Sequence, residues 1–363
     1  MSATLAYCPH LPLVLDRLRA FYVERRPGLI LATMDVPSRA LADLGVSRVA
    51  GYCAYPDPAE RAGFWDAYYA ERSAVPDDSV PAAYLTEMDQ GLYGGLVGGK
   101  VQFMFDPDTG WISSMVEPIL HDLAEVVNLR FDPDHEWFRR YLTQLDTFVN
   151  QARGKFGISH FILINGLNFV FELIGATRTY LALFERPALV EHALELAFQV
   201  NLTVQEAFFS HASLLEGGTC SNMLQWVPGR ILSESVDPFH MTGVDYFEQW
   251  GRPVLERVFS RFDGGGVHIH GNGRHLLEAV STVNGLKGIW LGDDRGFPPA
   301  FDVLPDLRAR VGDLPLAVMV PYEQFRPALE AHQLVGGVFY RVSGVPDVET
   351  ARRLMDQVRE YHL

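Results

Sequence analysis

Residues 264–275, GGGVHIHGNGRH, run from a triple glycine through a short β-rich segment into a Gly-Asn-Gly loop, and residues 274–283 then take up helical spacing. Side chains alternate along a strand, so a strand over Val267–His270 puts His268 and His270 on one face, next to the loop that ends it. Three more strand candidates follow at Gly288–Leu291, Leu316–Val320 and Gly337–Val342, with strand starts 21, 28 and 21 residues apart. Helical periodicity at Arg274–Val283, Glu323–Ala331 and Pro346–Tyr361 separates or follows them. Short apolar strands alternating with helices mark βα units around a parallel sheet.

Upstream, strand candidates at Leu29–Thr33, Val101–Phe105, His160–Asn165 and Arg230–Ser233 bring the total to eight. The helices between them read as Asp134–Arg153, Asn168–Leu183, Pro187–His211 and Gly243–Phe262. Eight strands separated by helices predict an α/β fold, a closed (β/α)8 TIM barrel formed by residues 1–363 as one domain with an N-terminal helical extension. An open doubly wound sheet uses the same alternation. Residues 40–100, rich in proline and aromatic residues and ending in GLYGGLVGGK, read as an irregular insertion that caps the barrel or joins a subunit interface. The aromatic run Phe64–Tyr69 makes a homodimer the expected assembly.

With 45 acidic against 30 basic residues the chain carries a net charge of −15, which argues against a nucleic-acid partner, because phosphate binding depends on Lys and Arg releasing counterions. No run of 18 apolar residues occurs, so no membrane span is expected. Three scattered cysteines, Cys8, Cys53 and Cys220, without a CxxC pair, fit a reducing cytoplasm. No GxGxxG motif follows a strand, the triple glycine precedes its strand, and no P-loop is present, so no nucleotide cofactor is expected. No GxSxG elbow supports a serine nucleophile.

The polar residues gather at the C-terminal ends of the candidate strands, where a barrel builds its site. His268 and His270 precede the glycine loop that holds Asn272, and the next strand ends in Asp293-Asp294. One of these two acids is expected to cap a helix and the other, Asp293, to join the histidines as a two-His, one-carboxylate metal set. The alternative for the histidines is a hydrogen-bonded core pair. Glu234 and Asp237 end another strand, with Glu234 as candidate general base, and Cys220 is a candidate thiolate ligand or a small buried hydrophobe. Tyr322, Tyr340 and Arg341 close the last two strands, and Arg341 suits a substrate carboxylate or phosphate or a solvent-facing salt bridge.

At Trp226-Val227-Pro228-Gly229, the FEQWGRP stretch Phe247–Pro253, the HIHGNG strand end and the closing GGVFYRVSGVPDVETARRLMDQV, the chain resembles the uroporphyrinogen decarboxylase superfamily, which includes corrinoid-dependent methyltransferases. The resemblance runs from about residue 90 to the C-terminus, and it implies a single barrel with its site at the C-terminal mouth. The methyltransferase branch carries zinc on a His-x-Cys pair, an acidic residue on the next strand and a Cys on the last. Here His268 matches the His, His270 stands in place of the Cys, Asp293 falls near the acid, and the last strand has no cysteine. That set is harder, richer in N and O, than a thiolate site. The decarboxylase branch uses no metal and holds its substrate with N-terminal arginines; Arg25, Arg26 and Arg39 are present but its signature is not.

The expectation is therefore a cytoplasmic, methyltransferase-like enzyme for a small methylated or thiol-bearing substrate. A divalent metal, zinc foremost, sits on His268, His270 and Asp293, and a corrinoid protein docks as methyl donor or acceptor. Arg341, Tyr340, Tyr322, Trp226, Asp237 and Asn272 are the expected substrate contacts. The alternatives are a metal-free decarboxylase or lyase of a small carboxylic acid, with Arg341 as anchor and a histidine as proton donor, and a non-catalytic ligand-binding barrel.

Overall fold

The computed structural model describes residues 4–361 apart from 86–87, 161 and 164–165. Fourteen strands are described: β1 (Ile30–Met34), β2 (Gly51–Cys53), β3 (Ala82–Tyr84), β4 (Val101–Phe105), β5 (Ile112–Val116), β6 (Gly157–His160), β7 (Ile162–Leu163), β8 (Gly218–Ser221), β9 (Gln225–Pro228), β10 (Leu232–Ser235), β11 (Gly265–Ile269), β12 (Leu286–Leu291), β13 (Leu316–Pro321) and β14 (Val338–Ser343). Seven of them form one parallel sheet in the order β1-β14-β13-β12-β11-β10-β7. A second sheet, β3-β6-β8-β9, is parallel except for β9, and β2-β4-β5 is an antiparallel meander. The chain is thus a mixed α/β protein built on a parallel sheet. Among the described residues no helix is long and apolar enough to cross a membrane.

The sheet is covered on both faces, as parallel sheets are, and its strands sort their side chains by alternation. Ile30, Ala32 and Met34 of β1 and Val338, Tyr340 and Val342 of β14 pack into the large core, whereas Leu31, Ala317 and Phe339 join a second cluster with the N-terminal helix Leu11–Tyr22. That helix presents Leu11, Val14, Leu15, Leu18 and Phe21 to the sheet at helical spacing, with Phe21 edge-on to Phe339 at 6.3 Å. Each of these fully buried side chains contributes about 1.5–3 kcal/mol.

β1 has β14 on one side and no backbone ladder on the other among the described strands. Two carboxylates stand in for the ladder. Asp78 accepts from the Ala32 N–H at 3.0 Å and returns its own N–H to the Ala32 carbonyl, while Asp77 accepts from the Met34 N–H at 2.8 Å. Residues 77 and 78 lead directly into β3.

Three expectations change. Residues 40–100 are not irregular: they hold the helices Arg39–Ser47, Pro58–Arg72 and Gln90–Gly95 and the strands β2 and β3. Pro58 opens a helix whose first turn is capped by Asp57, which accepts from Ala59 and Glu60, so this proline marks a helix start and not a loop. Val101–Phe105 is a strand, but it belongs to the antiparallel meander, and β3 and β8 are parallel strands the pattern missed. Of the Phe64–Tyr69 aromatics Trp65 is buried, and the Tyr69 hydroxyl donates to the Ala82 carbonyl, so part of the run packs within the chain. The end of the expected strand His160–Asn165, residues 164–165, lies outside the described residues.

Candidate active site

Two histidines and one aspartate meet where adjacent strands end. β10 and β11 pair with Ser235 opposite His268, and two residues beyond Ser235 the chain enters a short 3₁₀ turn, Asp237–Met241. Val267 and Ile269 face the large core, so His268 and His270 face the other way, with ring centroids 5.0 Å apart at 82°. The Asp237 Oδ1 lies 2.9 Å from His268 Nε2, 3.9 Å from His270 Nε2 and 3.7 Å from His240 Nδ1. Asp237, His268 and His270 each offer a donor atom, all within 4.8 Å of one another.

The electrostatics of this group fix its charge. Burial disfavours the Asp237 carboxylate, but the attraction of His268, with smaller pulls from His240 and His270, overrides it and holds the carboxyl down to about 2. Burial, reinforced by the neighbouring histidines, drives His240 down to about 4 against the pull of Asp237, so it stands neutral at pH 7. Asp237 Oδ1, His268 Nδ1, His240 Nε2 and Asn272 Oδ1 are all buried polar atoms without a hydrogen-bond partner.

Behind His270 stands a carboxylate. Asp294 Oδ1 lies 3.0 Å from His270 Nδ1, and its other oxygen accepts from the Asn272 N–H at 3.3 Å. An imidazole anchored at Nδ1 by a carboxylate presents Nε2 in a fixed direction, the arrangement found behind metal-binding histidines. Gly273 lets His240 close on the group, because a Cβ at that position would lie 2.1 Å from His240 Cδ2.

Several expected site residues stand elsewhere. Asp293 does not join the histidines: its Oδ1 accepts from the Ala300 N–H at 2.6 Å and from Arg274 at 3.3 Å, tying down the loop after β12. The adjacent acids divide the work, but Asp294 takes the inward role, and Asp237 supplies the carboxylate of the triad. Glu234 sits opposite Val267, one residue out of phase with His268, so alternation turns it to the other sheet face and it cannot serve the histidines as a base. Cys220 is buried in the second core cluster and is outside the metal-capable group. Trp226 is fully buried, with Nε1–H donating to the Leu215 carbonyl, and Tyr340 is fully buried, its hydroxyl bonded to the Val335 backbone, so neither is placed to contact a substrate. Tyr322, partly buried, opens a helix with Arg326 over its ring at 5.6 Å.

Arg341 lines a cavity of about 300 Å3 together with Thr33, Asp35, Tyr69, Arg72 and Met319. The cavity and the histidines are linked through one indole: the Trp290 ring lies 6.3 Å from the His268 ring and 5.1 Å from the Arg341 guanidinium. His240, Trp290 and Arg72 were not singled out from sequence, and Asp294 was read as a helix cap. His240 had a local signal, three residues after Asp237 in VDPFH, but the others depend on contacts between distant segments.

Burial pushes the Cys8 and Cys220 thiols up to about 12, whereas Cys53 is partly exposed. Iodoacetamide at pH 8 is expected to label the native chain once, at Cys53, and three times after denaturation, because the thiolate is the reactive form. Labelling of Cys220 in the native chain, read by peptide mass spectrometry, would put it back among the candidate ligands.

No family model matches the chain, and no curated protein matches it by sequence. Among solved structures, a methyltransferase from Methanosarcina mazei superposes with a TM-score of 0.60, covering 98% of this chain and 99% of the other at 13% sequence identity. At that identity the likeness establishes a shared α/β fold over the whole chain.

Proposed function

We propose that the chain is a metal-assisted, methyltransferase-like enzyme on a (β/α)8 barrel, taking a small substrate into the mouth formed by the C-terminal strand ends. The barrel reading is supported by strand order. β3 pairs β6, β7 pairs β10, and β10, β11, β12, β13 and β14 follow in chain order and lead back to β1, with Asp77 and Asp78, just before β3, bonded to β1. The resemblance to the uroporphyrinogen decarboxylase superfamily and the methyltransferase neighbour support the same architecture and the transferase class.

The observation that carries the chemistry is the convergence of Asp237, His268 and His270 with Asp294 behind. The buried, unpartnered Asp237 Oδ1 beside two imidazoles fits a divalent cation, and three N/O donors leave a coordination position for a ligand from solution. When bound there, zinc would supply a Lewis acid that activates the methyl acceptor. The chain's own residues do the rest: Asp237 stays ionised, His240 stays neutral beside it, and Asp294 holds His270 in one orientation. A corrinoid protein at the mouth is the proposed methyl carrier. Arg341 facing the cavity favours a second reading, a lyase of a small carboxylic acid that needs no metal.

The test is methyl transfer from methylcobalamin to a panel of small thiols by the zinc-loaded chain, followed by the change in cobalamin absorbance. The parent is expected to demethylate the cobalamin and the His268→Ala/His270→Ala variant to fall by at least about 100-fold, as loss of a metal site entails. Equal rates in parent and variant, or no turnover with any thiol, would overturn the transferase reading.

A further inference from the structure

We infer that the cavity beside β1 and β14 binds the charged end of a small organic anion, a carboxylate or sulfonate on an apolar or aromatic body, at Arg341. This rests on the reading of the mouth as the substrate site, though not on the metal. Among the described residues the Arg341 side chain enters no hydrogen bond or ion pair; its one close contact of note is the face of Trp290. Other buried or half-buried arginines are partnered: Arg17 has Asp78, Arg72 has Asp77 and Arg274 has Asp293, while Arg61 donates to the Gly110 carbonyl and Arg308 to the Leu314 carbonyl. Burial lowers Arg341 to about 10, with Tyr22, Tyr69 and Tyr84 only partly offsetting it.

Two buried polar groups lie near the guanidinium. The Trp290 Nε1–H and the Tyr22 hydroxyl are buried without a hydrogen-bond partner, and the Arg341 charge is felt at the Tyr22 hydroxyl. A guanidinium and an indole N–H, which only donate, and a phenol O–H that can donate are complementary to an oxyanion, which accepts only. Asp35 shares the cavity, where burial raises its carboxyl above the ordinary range against the pull of Arg72, weakening the competition it offers. Tyr68, Tyr69, Trp111 and Met319 supply apolar walls for the body of the ligand. Trp290 lies between Arg341 and His268, so the anion site and the histidines share one indole as a neighbour.

The experiment is titration calorimetry of the full chain with benzoate, benzenesulfonate and neutral benzamide, each with and without zinc. Both anions are expected to bind, with benzamide at least about tenfold weaker, and Arg341→Met is expected to lose at least about tenfold in anion affinity while Arg341→Lys keeps part of it. The His268→Ala/His270→Ala variant is expected to bind the anions as the parent does, so a failed metal site leaves this result standing. Benzamide binding as tightly as benzoate, no anion binding, or an Arg341→Met variant that binds benzoate like the parent would overturn the inference. Should Arg341→Met fail to fold by circular dichroism, the parent's preference for benzoate over benzamide and the Arg341→Lys affinity decide it.

Discussion

Loaded with zinc and freed of excess by dialysis, the chain is expected to retain one ion, and the His268→Ala/His270→Ala variant none. The reason is geometric. Asp237 Oδ1, His268 Nε2 and His270 Nε2 are separated by 2.9 and 3.9 Å about the aspartate oxygen, close to the spacing of donors that share an ion at about 2.0–2.2 Å. Asp237→Asn keeps a neutral oxygen but removes the charge that balances the cation, so affinity is expected to fall by about 100-fold or more. Asp294→Ala leaves the donors intact and frees His270, for a loss of about 10–100-fold. Asp293→Ala, whose side chain serves the loop at Ala300, is expected to leave affinity unchanged. Elemental analysis and competition with a chromogenic chelator read all four. A parent that takes up no ion after supplementation, or an Asp293 variant that loses the ion while Asp237→Asn keeps it, would overturn this assignment.

Asp78→Ala is expected to cost about 3–5 kcal/mol of unfolding free energy, the range for removing one partner of a buried ion pair. Asp78 is almost completely buried, and three groups depend on it. Arg17 reaches it through Nε at 2.6 Å and Nη2 at 3.1 Å, the Ala32 N–H donates to it, and Arg17 also donates to the Ile30 carbonyl. Truncation leaves a guanidinium without its counter-charge and a strand N–H without an acceptor, and it unpins the helix Leu11–Tyr22 from β1. Asp78→Asn keeps an acceptor for Ala32 and is expected to lose less, about 1–3 kcal/mol. Urea denaturation monitored by circular dichroism measures both. A loss under about 1 kcal/mol for Asp78→Ala would mean that β1 holds its place without this carboxylate.

The parallel sheet was legible in the sequence wherever the signal was local. β11 to β14 lie within a few residues of the predicted strands, because alternation, β-branched residues and flanking glycines act over less than ten positions. β3 was missed because three residues, Ala82–Tyr84, carry too little pattern, and the helix Pro58–Arg72 was missed because proline reads as a break until its capping aspartate is seen. The same limit applied to the site. His268 and His270 were found because a two-residue spacing on a strand fixes their common face whatever the rest of the chain does.

Their carboxylate was another matter. Asp293 and Asp237 both follow a strand, and nothing in the local pattern distinguishes them. The choice is made by the pairing register of β10 with β11 and by the loop after β12, where Asp293 meets Ala300 and Arg274. Glu234 was lost by the same register, which turns it to the opposite face. That two histidines stand together at the end of a strand follows from local pattern, because side-chain alternation is a property of the strand alone. That Asp237 stands beside them, and that the Arg341 side chain faces a cavity unpaired, follows from register and packing between distant segments, which set which side chains meet.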